Sequence, residues 1–340
     1  MATQKDVARL ADVSFITVSR VINDKGNVKP DTRERVLKAI KELNYYPNSF
    51  AQGLTANRVN TIAVMPHLSN AVGVEETSYY RRLLIGIEKY CMQAGFDILL
   101  STQRERDEHF DFLRPYYQRK ADGLILLGID KAHIDYQKVL EDEIPCVIIG
   151  EHGTHPEICH LDSDNSWGTR LISEYLINHG HRRIAYLHVD RWTQDTTDRL
   201  ESFKRILGER RIEFPEEYLL YGDFTMESGR TAARKIASMK NRPTAVIAAT
   251  DLMALGLLEG ASEVGLRIPE DLSIAGFDGH EITAYTNPPL ATVVQDLEGM
   301  GYEAARSLIR QIHGEPLDKR EIIFPVVFEP RGSIHACSSE

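Results

Sequence analysis

Seven short apolar runs punctuate the chain between Thr61 and Asp278: 61-TIAVMP-66, 96-FDILLST-102, 123-GLILLG-128, 146-CVIIG-150, 184-IAYLHV-189, 245-AVIAAT-250 and 273-SIAGFD-278. Segments of helical periodicity separate them, such as 80-YRRLLIGIEKYCMQAG-95 and 168-GTRLISEYLINHG-180. A strand that is apolar on both faces must be covered on both faces. Parallel sheets wrapped by crossover helices meet that demand. Seven such runs exceed one modest sheet. Two consecutive α/β halves, with the chain crossing between them, accommodate them better. The expected fold of residues 60–340 is therefore an α/β body of two doubly wound parallel-sheet subdomains. Ligands in open parallel sheets bind beyond the C-terminal strand ends, which here means a cleft between the halves.

The first 46 residues follow a different rule. Val7, Ala8, Leu10 and Ala11 recur at helical spacing, and Thr3 with Asp6 forms a capping-box pattern. Asp12-Val13 breaks that helix, and Ser14 can cap a second one running to about Ile22. Val18, Val21 and Ile22 form its inner stripe, which leaves Phe15, Ile16, Ser19 and Arg20 off the stripe. A third helix is expected over 31–44, with Val36, Leu37, Ile40 and Leu43 inward. Two short helices joined by a tight turn and braced by a third make a helix-turn-helix, an all-α headpiece.

In such a unit the second helix enters the major groove by its N-terminal residues. Arg20 can give two parallel hydrogen bonds to guanine, while Phe15 and Ile16 can press on thymine methyls. The hydroxyls of Thr17 and Ser19 suit phosphate oxygens, and Ser14 and Asn23, which bound the helix, complete the DNA-facing set. The competing reading buries Phe15 in a three-helix core unit. After the third helix, Tyr46-Pro47 stops the helical pattern. Residues 49–56 can form a further short helix with Phe50, Ala51 and Leu54 on one face, too short to hold alone in water.

Charge supports this division. The whole chain of 340 residues carries −10, yet residues 1–60 hold ten Lys/Arg against six Asp/Glu. A basic head on an acidic body fits a head that meets phosphate. The chain shows no basic start followed by an apolar run and no stretch of about 18 apolar residues. Cys91, Cys146, Cys159 and Cys337 are scattered without a CxxC, which reads as reduced thiols in a cytoplasm. His152, His155 and His160 cluster, as do His179 and His181, but zinc-type spacing is absent. No phosphate-binding loop, dinucleotide fingerprint or nucleophile elbow occurs. An enzyme is not expected, nor is any cofactor. An exported solute-binding protein would leave the headpiece without a purpose.

Strand-end polar residues mark the expected ligand site. Asp278 and Thr250-Asp251 end two apolar runs, Trp192 and Arg199 follow a third, and Phe224 lies in 221-YGDFTMESGR-230. Carboxylates and an arginine hold sugar hydroxyls by charge-assisted hydrogen bonds, and aromatic faces cover the ring. The alternative for either aspartate alone is capping of the following helix.

The segments 6-DVARLADVS-14, 17-TVSRVIN-23, 29-KPDTRERVLKAIKELNYYPN-48 and 51-AQGL-54 resemble the lactose-repressor and galactose-repressor (LacI/GalR) family of bacterial transcription regulators. The resemblance continues through 179-HGHRRIAYL-187, 199-RLESF-203, 250-TDLMALGLL-258, 265-GLRIPEDLSIAGFD-278 and 288-PPLATVVQD-296. It implies a periplasmic-binding-protein-like body, a hinge at 47–59 and a homodimer on double-stranded, pseudo-palindromic operator DNA. It implies that Leu54 wedges between base pairs in the minor groove, with Asn48, Ala51 and Gln52 making neighbouring contacts. It adds Tyr79, Tyr80 and Gln295 to the effector set, and makes Arg199 and Asp278 effector contacts. The implied function is a cytoplasmic repressor, without a membrane partner, whose operator affinity answers to a sugar-like effector. The chain departs from the family pattern at Thr250, at Ser202 and in the longer segment 71-AVGVEETS-78.

Overall fold

The described residues of the computed structural model are 2–22, 26–46, 58–66, 77–101, 111–128, 134–151, 155–189 and 193–337. The chain divides into two compact units, residues 1–60 and 61–340.

The first unit contains α1 (Gln4–Leu10), α2 (Phe15–Ile22) and α3 (Pro30–Glu42). The Thr3 side chain accepts from the Asp6 amide, and the Asp6 carboxylate accepts from the Thr3 amide at 2.9 Å, so the capping box is present. α1 stops at Asp12, whose φ of 51° turns the chain back so that the Val13 amide donates to the Ala8 carbonyl at 3.0 Å. Aspartate is among the few residues besides glycine that enter the left-handed region readily. α2 is capped by Ser14, whose hydroxyl accepts from the Thr17 amide at 3.1 Å. The core is small: Val7, Ala8, Ala11, Val18, Val21, Val36 and Ala39. One expectation fails here. Leu37 is 52% exposed, and Ala39 takes an inner position at 3% exposure. The inner face of α3 runs 36, 39, 40, 43, and Leu37 lies a full 100° round from Val36.

The second unit holds twelve strands among the described residues, in two sheets. Its strands are β1 (Thr61–Pro66), β2 (Asp97–Leu100), β3 (Gly123–Leu127), β4 (Cys146–Ile149), β5 (Cys159–Ser163), β6 (Ile184–Val189), β7 (Leu219–Gly222), β8 (Ala245–Ala248), β9 (Ser273–Asp278), β10 (Ala291–Gln295), β11 (Glu321–Phe324) and β12 (Val326–Glu329). The first sheet runs β11-β5-β4-β3-β1-β2 and is parallel throughout. The second runs β12-β10-β9-β8-β6-β7, parallel except for the β10–β12 pair. The chain passes from first sheet to second after β5, returns after β10, and passes over again between β11 and β12.

All seven runs singled out in the sequence become strands, each within two residues of its expected ends. The five strands that the apolar-run criterion did not single out are short or polar. β5 reads CHLDS, and β11 and β12 are four-residue edge strands with alternating exposure.

The crossover helices are α4 (Thr77–Ala94), α5 (Arg114–Tyr117), α6 (Tyr136–Glu141), α7 (Asn165–Asn178), α8 (Gln194–Glu209), α9 (Met226–Ser238), α10 (Asp251–Glu263) and α11 (Leu297–Ile312). α4 and α11 supply Leu83, Ile87, Met300 and Leu308 to one face of the first sheet, where Ile62, Val64, Ile125 and Leu127 point. The intervening residues Ala63, Met65, Leu124 and Leu126 bury against Phe112, Leu113 and Val139 on the other face. Both faces are covered, which explains why these strands lack polar alternation.

α4 and α11 touch through glycines. A Cβ on Gly301 would lie 2.0 Å from the Leu83 carbonyl oxygen, and one on Gly86 1.9 Å from that of Glu298. Gly301→Ala should therefore destabilise the body by about 1–3 kcal/mol, since backbone cannot yield as a side chain does. Denaturant unfolding would read this. Gly208→Ala in α8, where a Cβ meets nothing within 4 Å, serves as the control and should hold or raise stability.

Candidate functional site

The outer face of α2 is the first candidate. Phe15 is 49% exposed and Ile16 63%, while Val18 and Val21 are buried. Arg20 is exposed, and Thr17 and Ser19 are half-buried. The core reading of Phe15 fails. The hydroxyls of Ser14 and Thr17 lie 2.9 Å apart, within hydrogen-bond reach of each other. Asn23, Asn48, Ala51, Gln52 and Leu54, with the rest of the expected short helix at 49–56, lie outside the described residues.

The second candidate is built at the C-terminal ends of the parallel strands. Its centre is Arg199 on α8, only 2% exposed. The Arg199 Nε donates to Asn165 Oδ1 at 2.8 Å and Nη1 to the Ala249 carbonyl at 2.6 Å. Its guanidinium lies 3.5 Å from the Asp195 carboxylate and 3.7 Å from that of Asp278, and sits 3.8 Å over the Phe277 ring. Asp278 ends β9 with φ 136°. Its Oδ1 accepts from Gln295 Nε2 at 2.8 Å, and its Oδ2 from the Asp251 amide at 3.3 Å.

Asp251 is fully buried beside it. One of its oxygens accepts from the Thr292 hydroxyl at 2.5 Å and the other from the His280 amide at 2.7 Å. Neither aspartate caps a helix: Thr250 caps α10 and His280 caps the short turn at 281–285. Burial pushes Asp251 up to about 6 and Asp278 up to about 8. The Thr292 hydrogen bond opposes the first shift and the Arg199 charge the second.

Tyr79 on α4 faces this group from the first sheet's side. Burial, then the charges of Asp195, Asp162 and Asp278, hold its hydroxyl well above the ordinary range. Tyr80 packs edge-on against Tyr79, with ring centroids 5.4 Å apart. Phe224 has φ 70° in the turn after β7 and packs against the core of the second sheet. Trp192 and residues 71–76 of the longer segment lie outside the described residues.

Several members of this cluster carried no signal by the rules applied to the sequence. Asp162 and Ser163 end β5, and Asn165 opens α7; all three are buried. Ser163 Oγ and Asn165 Nδ2 have no hydrogen-bond partner among the described residues. The strand-end rule would have reached them had 159-CHLDS-163 been recognised as a strand. Asp195 was reachable only as the residue one helical turn before Arg199.

Comparison with known proteins decides the kinship. Residues 3–48 match the model of bacterial regulatory proteins of the lacI family, and residues 173–334 that of the periplasmic binding protein-like domain. The chain is 35% identical over 323 residues to the HTH-type transcriptional repressor PurR of Vibrio vulnificus (strain CMCP6), covering 94% of this chain and 95% of the relative. The chain belongs to the LacI family.

Among solved structures, the transcriptional regulator CelR–cellobiose complex is 33% identical with a TM-score of 0.74, over 98% of this chain and 100% of that one. The lac repressor dimer bound to operator and the anti-inducer ONPF is 27% identical with a TM-score of 0.86, over 98% and 99%. This LacI-family chain is a DNA-binding transcriptional repressor controlled by a small-molecule effector, and not an enzyme. Among the described residues no helix is long and apolar enough to cross a membrane.

Two measurements follow from this geometry. Ile16→Ala removes an exposed side chain, so it should leave the unfolding midpoint within about 0.5 kcal/mol of wild type, against roughly 2–5 kcal/mol for truncating a core aliphatic. Operator selection from a random duplex pool should nevertheless change at the half-site. The aspartate pair makes the ligand-free body pH-sensitive. Its folded pKa values lie above the unfolded ones, so the folded state holds extra protons. This contribution is full below about pH 4 and is lost as pH rises through about 6 to about 8. The melting temperature should fall across that window in wild type and fall less in Asp278→Asn.

Proposed function

We propose that the cleft of the second unit takes a sugar or sugar derivative through Arg199, Asp278 and Gln295, with Tyr79 and Tyr80 covering the ring. Trp192, Phe224 and Asp251 complete the proposed set, with Asp251 acting behind Asp278 rather than on the ligand. One observation carries the reading. Charged and amide groups converge at the strand ends, while Ser163 Oγ and Asn165 Nδ2 are buried there without partners among the described residues. A buried polar atom without a partner costs about 1–3 kcal/mol, and a ligand hydroxyl would recover that loss. The CelR–cellobiose complex among the related structures supports a sugar.

On the DNA side, Phe15, Ile16 and Arg20 would read base edges, while Ser14, Thr17, Ser19 and Asn23 would meet the backbone. Asn48, Ala51, Gln52 and Leu54 would work in the minor groove. Two copies would pair on a pseudo-palindromic operator in the cytoplasm. Residues 1–46 would form the DNA-binding domain, 47–59 the hinge, and 60–340 the ligand-binding and dimerisation domain. Effector binding would change how two hinges are presented, a coupling between two separate sites.

A thermal-shift screen of neutral sugars, sugar acids, sugar phosphates and planar nitrogen heterocycles tests the ligand class. Ligand at a hundred times its Kd adds about 2.7 kcal/mol, a shift of several degrees. A sugar should give that shift in wild type and lose it in Asp278→Asn. A shift by heterocycles alone would overturn the sugar reading. The chain lacking residues 1–60 should keep the shift and lose operator binding.

A further inference from the structure

Arg82 on α4 belongs to the half built on the first sheet, yet its guanidinium is spent on the second. Nη1 donates to the carbonyls of Asp278 and Gly279, each at 3.2 Å, and Nη2 donates to the carbonyl of Gln295 at 2.9 Å. All three acceptors are main-chain oxygens at the C-terminal ends of β9 and β10. Those are the two strand ends whose side chains, the Asp278 carboxylate and the Gln295 amide, bond each other beside Arg199. Among the described residues no carboxylate takes part, so the contact is set by backbone position rather than by side-chain charge.

From these contacts we propose that Arg82 is the latch between the two halves of the body, and a positioning residue for the strand ends that carry Asp278 and Gln295. Three consequences of the geometry support this. First, Asp278 has φ 136° and Gly279 φ 69°, a backbone excursion that needs outside partners to hold it. The Arg82 guanidinium is shared between the carbonyls of both residues. Second, strand-end carbonyls beside a cleft need donors, and a planar guanidinium with several N–H groups can serve three at once where an ammonium serves fewer. Third, Tyr79 precedes Arg82 by three residues and so lies on the same face of α4. Fixing Arg82 to β9 and β10 therefore fixes how far the Tyr79 hydroxyl stands from Asp278. The width of the cleft and the aim of its polar groups are set by one side chain.

The latch also states how opening would occur. Separating the halves breaks three hydrogen bonds at a single residue, while the chain crossings at 163–165, 295–297 and 324–326 stay covalently joined. An effector that fits the latched width adds to the closed arrangement; a bulkier one must break Arg82 away. The sign of the response to effector would thus be set at Arg82.

The test uses the full-length protein without ligand, so its result does not depend on the effector's identity. Hydrogen exchange would be followed in Arg82→Met, which keeps the aliphatic stem, and in Arg82→Lys, whose ammonium can take the Nη1 position and keep the two carbonyls it bonds. In the methionine variant, amides of 279–283 and 295–298 should exchange at least tenfold faster, and small-angle scattering should show a larger radius of gyration. Peptides of β6 and β8 serve as the internal control for folding and should match wild type. The lysine variant should recover most of the protection. Unchanged exchange at both strand ends in Arg82→Met, within twofold, or equal loss in the lysine and methionine variants, overturns the latch. Faster exchange spread evenly over β6 and β8 as well would mean a general packing role and overturn it too.

Discussion

The buried guanidinium of Arg199 governs the site around it. An ionised group with 2% exposure is tolerable only when its hydrogen bonds and charge are met within the protein. Asn165, the Ala249 carbonyl, Asp195, Asp278 and the Phe277 ring meet them. They come from the start of α7, the end of β8, the end of β9, which supplies both Asp278 and Phe277, and the first turn of Arg199's own helix α8. Arg199 therefore ties its own helix to three other elements, α7, β8 and β9. Burial raises the Asp251–Asp278 pair, and among the described residues Ser163 Oγ and Asn165 Nδ2 are left without partners. These unspent polar atoms are what the proposed ligand hydroxyls would meet.

The DNA-facing unit rests on the opposite economy. Its core holds seven small or medium side chains, with Phe15, Ile16 and Leu37 left outside. Large apolar residues are kept on the surface of α2 although the core could use them. That arrangement leaves them free for the base contacts proposed for α2. The failure at Leu37 has the same root. Three short helices meeting closely leave room for Ala39, and the larger side chain faces away.

Most strands legible in the sequence were buried on both faces, which leaves an unbroken apolar run; the edge strand β2 was legible from its DILL run although its ends are exposed. β5 was not legible, since His160 and Asp162 interrupt it, and with it went Asp162, Ser163 and Asn165. Arg199, Asp278 and Gln295 were legible as chemistry at strand ends or by resemblance, and the structure brings them together, with Gln295 hydrogen-bonded and Arg199 ion-paired to Asp278. Phe224 was placed in the same site by sequence. It packs on the second sheet's core. Arg82 gave no signal at all: its partners are backbone carbonyls about two hundred residues away, and carbonyls carry no sequence signature.

Local sequence determined the helix-turn-helix, its caps, the outward turn of Phe15 and Ile16, and the existence of two α/β halves. Each of those follows from interactions within a few residues, or from a burial pattern that repeats along one element. Tertiary structure alone decided which half each late strand joins, which carboxylates share a site, and that Arg82 joins the halves. Those outcomes depend on where the chain crosses between sheets, and a crossing brings together residues whose separation in sequence has no fixed period.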